Sequence, residues 1–277
     1  MRPVNPDVSL GWLLKWIGLT IVAAIVCAYL ALCLLFYQGQ WQIVFHPTRT
    51  ITKTPATVGL AFDDIYFNYA ETGKPQLNGW WIPAQGRYSA CTLLYMHGAS
   101  GSLSDTVDEL KNLHSLGINI LAFDYRGFGL SENTHPSEQR VYEDADAAVA
   151  YLTDTRHIDP KKIVLFGDGL GATIAAETAL RHPQTSALIL ENPAPPAVSL
   201  IEADARTSLL PAKLLFRDRF ELAPKLTALR IPKLLLQTGT GALFPTAADP
   251  KLIVTVTVTD PNYLASFRRF LDEYLPQ

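Results

Sequence analysis

Apolar and polar positions divide this chain into two unlike parts. From Ile17 to Phe36 no residue carries a charge. Twenty helical residues cover about 30 Å, the thickness of a bilayer's hydrocarbon core. Trp12 and Trp16 stand before the run and Tyr37 and Trp41 after it, where aromatic side chains anchor a span at both interfaces. A cleaved signal peptide would carry a shorter apolar core and a small-residue cleavage site. No such site follows Phe36, and Leu32 precedes Cys33 where a lipoprotein signal wants a small residue. The pattern predicts a tail over 1–16, an uncleaved membrane helix over 17–37 and a juxtamembrane linker over 38–60.

Beyond residue 60 the apolar runs become short and periodic. Ile65 to Tyr69 and Leu77 to Ile82 flank Glu71-Thr72-Gly73-Lys74-Pro75, the mark of a hairpin. Strands are then predicted at Thr92–Met96, Ile118–Phe123, Ile163–Phe166, Ala187–Leu190, Lys233–Gln237 and Leu252–Val258. Helical stretches at Asp105–Leu116, Glu138–Thr155, Leu170–Leu180 and Tyr263–Tyr274 alternate with them. Apolar strands separated by helices imply an α/β domain over 61–277, a mostly parallel sheet flanked by helices. The proline-bearing stretch 193–230 has no clear period and reads as a small cap.

The last crossover is unusual. Only Gly239 to Lys251 separate the final two strands, barely the dozen residues a parallel connection needs. The last strand alternates valine and threonine from Val254 to Thr259. Both features predict a sheet face that no helix covers, and an edge at 252–259 open to a protein partner.

Composition and charge change this picture little. The chain has 277 residues, 48% of them hydrophobic, with a net charge of −3. That suits one sizeable domain and excludes the basic face that nucleic acid requires. Cys27 and Cys33 lie in the apolar run and Cys91 stands alone, so no disulfide forms within the globular part. No H-x-x-x-H or cysteine cluster points to a metal, and no cofactor is expected. Arg2 and Lys15 precede the span, and Arg49 and Lys53 follow it at a greater distance than that of Lys15. The positive-inside rule then puts the N-terminus in the cytoplasm and the domain outside.

The candidate chemistry centres on Val164-Leu165-Phe166-Gly167-Asp168-Gly169-Leu170-Gly171-Ala172. A strand runs into a helix with glycines two residues either side of Gly169, the spacing of the G-x-S-x-G nucleophile elbow. Gly169 holds the serine position and carries no nucleophile. Asp168 is an unsuitable substitute, because its own flanks are Phe166 and Leu170. Three further motifs occur in order with the elbow. They are Leu94-Tyr95-Met96-His97-Gly98-Ala99-Ser100-Gly101, Phe123-Asp124-Tyr125-Arg126-Gly127-Phe128-Gly129-Leu130-Ser131, and Leu188-Ile189-Leu190-Glu191-Asn192.

Together these motifs resemble the α/β-hydrolase superfamily, and within it the membrane-anchored serine hydrolases of lipids, acyl-glycerols or acylated proteins. The resemblance implies an oxyanion loop at His97, Gly98 and Ala99, completed by Leu170. It also implies a catalytic aspartate where Gly241 stands, four residues before Pro245, and a catalytic histidine near Pro261. No histidine follows His182. By that resemblance serine, acid and histidine are all replaced, which predicts a membrane-anchored pseudoenzyme acting as a binding, scaffold or accessory subunit. The alternative is an active hydrolase of acyl esters or thioesters with a displaced nucleophile, for which Ser100 and Ser102 are the candidates. A third reading is an acyl-chain or small-lipid carrier. Glu191 is placed as an acid after its strand, but with no positioned histidine it has nothing to orient.

Overall fold

The computed structural model describes residues 9–68, 76–203, 207–238, 244–257 and 259–275. Helix α1 (Leu10–Gly39) opens it, with the Ser9 side chain accepting the Trp12 N–H as a cap. No proline interrupts its thirty residues, and none of them is buried. By length and composition α1 can cross a membrane. It starts seven residues before the expected span, with Ser9 capping it and Leu10, Leu13, Leu14 and Lys15 favouring the helix despite Gly11.

The segment expected as a linker over 38–60 is instead part of the domain. A short turn α2 (Trp41–Val44) leads into β1 (His46–Pro47), which pairs in parallel with Ser100–Gly101. Val44, Phe45 and Pro55 are buried. These apolar side chains bind the segment to the core, yet their irregular spacing carries no helix or strand period.

The remaining strands are β2 (Asp63–Phe67), β3 (Leu77–Ile82), β4 (Tyr88–Met96), β5 (Ser100–Gly101), β6 (Ile118–Phe123), β7 (Ile163–Asp168), β8 (Ala187–Glu191), β9 (Lys233–Gln237) and β10 (Lys251–Thr255). Eight of them form one sheet in the order β10-β9-β8-β7-β4-β6-β3-β2. Pairings β2–β3 and β3–β6 are antiparallel and the rest parallel. The expected hairpin turn at 71–75 lies outside the described residues.

Two apolar layers sandwich the sheet. On one face Leu165 packs with the apolar sides of α4 (Glu138–Ala150) and α5 (Gly171–Arg181). On the other, Val164 and Phe166 pack with α3 (Val107–His114) and α9 (Asn262–Tyr274). Burial on both faces is why the central strands read as unbroken apolar runs. The stretch read as a cap folds into three short helices, α6 (Ala197–Ala203), α7 (Ala212–Leu215) and α8 (Ala223–Ala228).

Between β9 and β10 the described residues hold a single 3-10 turn, Phe244–Thr246. Strand β10 ends at Thr255 rather than Val258, which is outside the described residues. Leu252, Val254 and Val256 face the α9 layer. Ile253, Thr255 and Thr257 point the other way and are exposed, Ile253 at 38%.

Candidate functional site

The elbow's backbone is intact. Between β7 and α5, Gly169 turns the chain at φ +57°, the left-handed conformation that a strand-to-helix nucleophile turn demands. Its flanks are fixed by close approach. A Cβ on Gly167 would stand 2.2 Å from the Gly171 carbonyl oxygen, and one on Gly171 only 2.0 Å from that of Met96. At Gly169 itself a Cβ would meet nothing nearer than Gly98 Cα at 3.8 Å. Packing dictates the outer glycines but leaves space for a side chain at the central one. The turn is held by hydrogen bonds from Gly169 N–H to the Glu191 carbonyl (3.0 Å) and from Ala194 N–H to the Gly169 carbonyl (3.0 Å).

The loop expected to form the oxyanion hole passes beside this turn. A Cβ on Gly98 would lie 3.8 Å from the Asp168 carbonyl and 3.9 Å from its carboxylate. Among the described residues no protein acceptor takes the N–H of Ala99 or Leu170. His97 is buried against Tyr125 and Phe128, with ring centroids 4.4 and 5.1 Å apart, and its Nδ1 lies 2.8 Å from the Gly98 carbonyl. Burial pushes its pKa down to about 4, so the ring is neutral at pH 7. Its Nε2 stands 3.5 Å from Asp124 Oδ1 without a hydrogen bond. Burial also pushes Asp124 up to about 7. His97 is thus an uncharged, buried ring in a packing contact with Asp124, and is no base for the elbow.

Ser100 and Ser102 sit in the expected loop but serve local structure. Ser100 belongs to β5, is exposed, and pairs with His46. Ser102 caps the turn Leu103–Asp105: its hydroxyl accepts the Ser104 N–H (3.3 Å), while its own N–H donates to the Asp105 carboxylate (3.0 Å). This is a capping box. Among the described residues no hydrogen bond joins either serine to a histidine.

The positions expected for the acid and the histidine lie on the β9–β10 and α9 side. Gly241 is outside the described residues. Pro261 is the residue before α9. Two positions on, buried Tyr263 donates its hydroxyl to Glu191 Oε2 at 2.5 Å. Glu191 thus has a tyrosine, not a histidine, as its side-chain partner. Adjacent strand register sets Asp168 beside Glu191, and Tyr95 donates to Glu109 at 2.5 Å. Burial, with mutual repulsion among these carboxyls, pushes Glu191 up to about 7 and Glu109 up to about 8. Burial raises Asp168 to about 6, against the Gly169 N–H that favours its charge.

Chemically this cluster does not replace a triad. Burial and the Glu191 charge hold the Tyr263 phenol far above its ordinary value, so at neutral pH it donates a hydrogen bond and accepts no proton. The sequence holds a weak signal for the contact, a tyrosine at a helix start and a glutamate at a strand end, but nothing local links them. The other histidines are peripheral. His114 ends α3, His182 Nε2 lies 2.9 Å from Asp146, and His135 stacks on Trp41. Among the described residues no group of three His, Cys, Asp or Glu side chains is placed to hold a metal ion.

Comparison with known proteins agrees with this architecture. Residues 89–208 match the family described as serine aminopeptidase S33. An uncharacterized Mycobacterium tuberculosis protein is 28% identical over 275 residues, covering 92% of this chain and 95% of that one. A Pyrococcus furiosus esterase structure superposes with a TM-score of 0.63 at 19% identity, over 84% of this chain and 99% of that one. The structure of a membrane phospholipase A, a bacterial virulence factor, superposes with a TM-score of 0.53 at 17% identity, over 96% of this chain and 99% of that one. The sheet order, the turn between β7 and α5 and these superpositions together show that the chain has the α/β-hydrolase fold, and its residues 89–208 resemble the serine aminopeptidase S33 family.

Proposed function

We propose that this protein is a membrane-tethered pseudoenzyme, which uses the hydrolase scaffold to bind or to support a partner and does not cleave esters. The observation that carries this reading is Gly169: the elbow keeps its φ of +57° and its free space but offers no atom that can attack a carbonyl. The lack of any histidine after His182 and the Tyr263–Glu191 contact near the histidine position support it. Helix α1, apolar and unburied, is the tether, with the N-terminus cytoplasmic and the domain outside. Likeness to a membrane phospholipase A over 96% of the chain favours a lipid surface as the working environment. A protein partner docking as an extended segment on the outer edge of β10 belongs to the same reading.

The test is labelling of the detergent-purified full chain with a fluorophosphonate probe, alongside turnover of short-chain aryl esters. No labelling and no turnover above the blank are expected. Stoichiometric labelling of Ser100 or Ser102 would overturn the proposal and establish the displaced-nucleophile hydrolase in its place.

A further inference from the structure

We infer that the junction between α1 and the cap is a binding site for one glycerophospholipid, its phosphate held by Arg140 and Arg217. The inference rests on the reading of α1 as a membrane helix, and concerns a site distinct from the elbow. The apolar run ends at Phe36, so Tyr37 and Trp41 mark the level of the lipid headgroups. A cavity of about 520 Å³ opens at that level, lined by Tyr37, Trp41, His135, Arg140 and Arg217 among others.

The cavity is built from fixed parts. Gln40 is buried, accepts the Arg217 N–H at 2.8 Å and donates to the carbonyls of Tyr37 (2.8 Å) and Leu215 (3.3 Å). That side chain pins the end of α1 to the cap. The Arg217 guanidinium lies 4.7 Å from the centre of the Tyr37 ring, and Trp41 stacks on His135 at 4.6 Å. Arg140 donates to the His135 carbonyl.

Charge decides the ligand. Among the described residues neither Arg140 nor Arg217 has a carboxylate within ion-pair distance. Two carboxylates also line the cavity, and Asp218 feels the charge of both arginines at longer range. Asp218 accepts the Glu138 N–H at 2.9 Å, and Glu143 pairs with Arg126 at 2.7 Å. Two guanidinium groups facing one polar cavity match a phosphate's geometry and charge. Immediately alongside, a second cavity of about 380 Å³ is lined by Leu32, Leu35, Phe36, Ile43 and Leu210, and Gln40 borders both. A polar chamber beside an apolar one, both bordered by Gln40 along a membrane helix, fits an amphiphile with a phosphate head and an acyl chain.

The experiment uses the full chain in non-ionic detergent, with binding counted by native mass spectrometry and by the shift in melting temperature. Phosphatidylglycerol, phosphatidylethanolamine, a diacylglycerol of the same acyl chains and millimolar inorganic phosphate are compared. One phospholipid per chain is expected, with neither diacylglycerol nor inorganic phosphate taking its place. Arg217→Gln and Arg140→Gln should each weaken retention about tenfold, the loss of a charge-assisted hydrogen bond, while Lys15→Gln at the far end of α1 leaves it unchanged. Since Arg140 also holds a backbone carbonyl, Arg217→Gln carries the result if Arg140→Gln destabilises the fold. Equal binding of diacylglycerol, displacement by inorganic phosphate, or equal loss in Lys15→Gln overturns the proposal. Release of the chain from membranes by high salt without detergent would instead overturn the tether, a separate readout.

Discussion

The two halves of the would-be active site have fared differently. At the β7–α5 turn, Gly169 stands at φ +57° with open space around it; on the α9 side, Tyr263 donates to Glu191, and the described residues between β9 and β10 hold one 3-10 turn. The contrast follows from what each residue touches. Gly167 and Gly171 are pressed against the backbone of α5 and β4, so they are required by packing whether or not chemistry occurs. Gly169 faces open space, and nothing but chemistry would demand a serine there. At the other side the hydroxyl of buried Tyr263 donates to the strand-end carboxylate of Glu191.

The largest test of that contrast is glycine replacement at the elbow. Gly171→Ala should cost about 4 kcal/mol or prevent folding, because its Cβ would meet the Met96 carbonyl at 2.0 Å and backbone cannot move aside. Gly169→Ala should cost only about 1 kcal/mol, the strain of a left-handed alanine. Urea denaturation of both variants measures the difference, and equal stabilities would break the comparison.

Next comes pH. Glu191, Asp168 and Glu109 have folded-state values raised to about 7, 6 and 8, above their ordinary values near 4. The folded state therefore binds these protons more tightly. Its stability from these groups is full below pH 4 and is lost as pH rises to about 8. Glu191→Gln should remove roughly 2–3 kcal/mol of that slope while keeping the Tyr263 hydrogen bond. Melting temperatures between pH 4 and 8 read this directly; an unchanged slope would mean Glu191 is not buried in its charged form.

Restoring the nucleophile sharpens the comparison at lower cost. Gly169→Ser should fold, losing about 1 kcal/mol to backbone strain, and still show no ester turnover, since no histidine is positioned to take the proton. Turnover well above the parent chain would show that the other half of the site remains competent.

The smallest effect on stability is expected at the edge. Charged replacements at Thr255 or Thr257, both exposed, should alter stability by about 0.5 kcal/mol or less. Pull-down of membrane extracts should nonetheless lose any partner held through β10. A partner retained by both variants would leave that edge without a role.

Much of the fold was legible because its signals are local. Strand positions follow from short apolar runs, and the parallel order from helices between them. The glycine turn between β7 and α5 needed only the spacing of Gly167, Gly169 and Gly171. The short last crossover was visible in the count of residues, and the uncovered face of β10 in its alternation. Residues 38–60 were misread as a linker because Val44, Phe45 and Pro55 bury themselves without any repeating period.

By itself the sequence determined the apolar span, the alternation of strands and helices, and the absence of an attacking group at residue 169. Each depends on neighbours within a few positions. Only the tertiary structure decided that Tyr263 reaches Glu191 across 72 residues, or that Gln40 fastens α1 to residues 175 and 177 positions away. Such contacts are made by side chains whose directions are set by packing of whole layers, and no local periodicity encodes which distant partner a buried hydroxyl or amide will find.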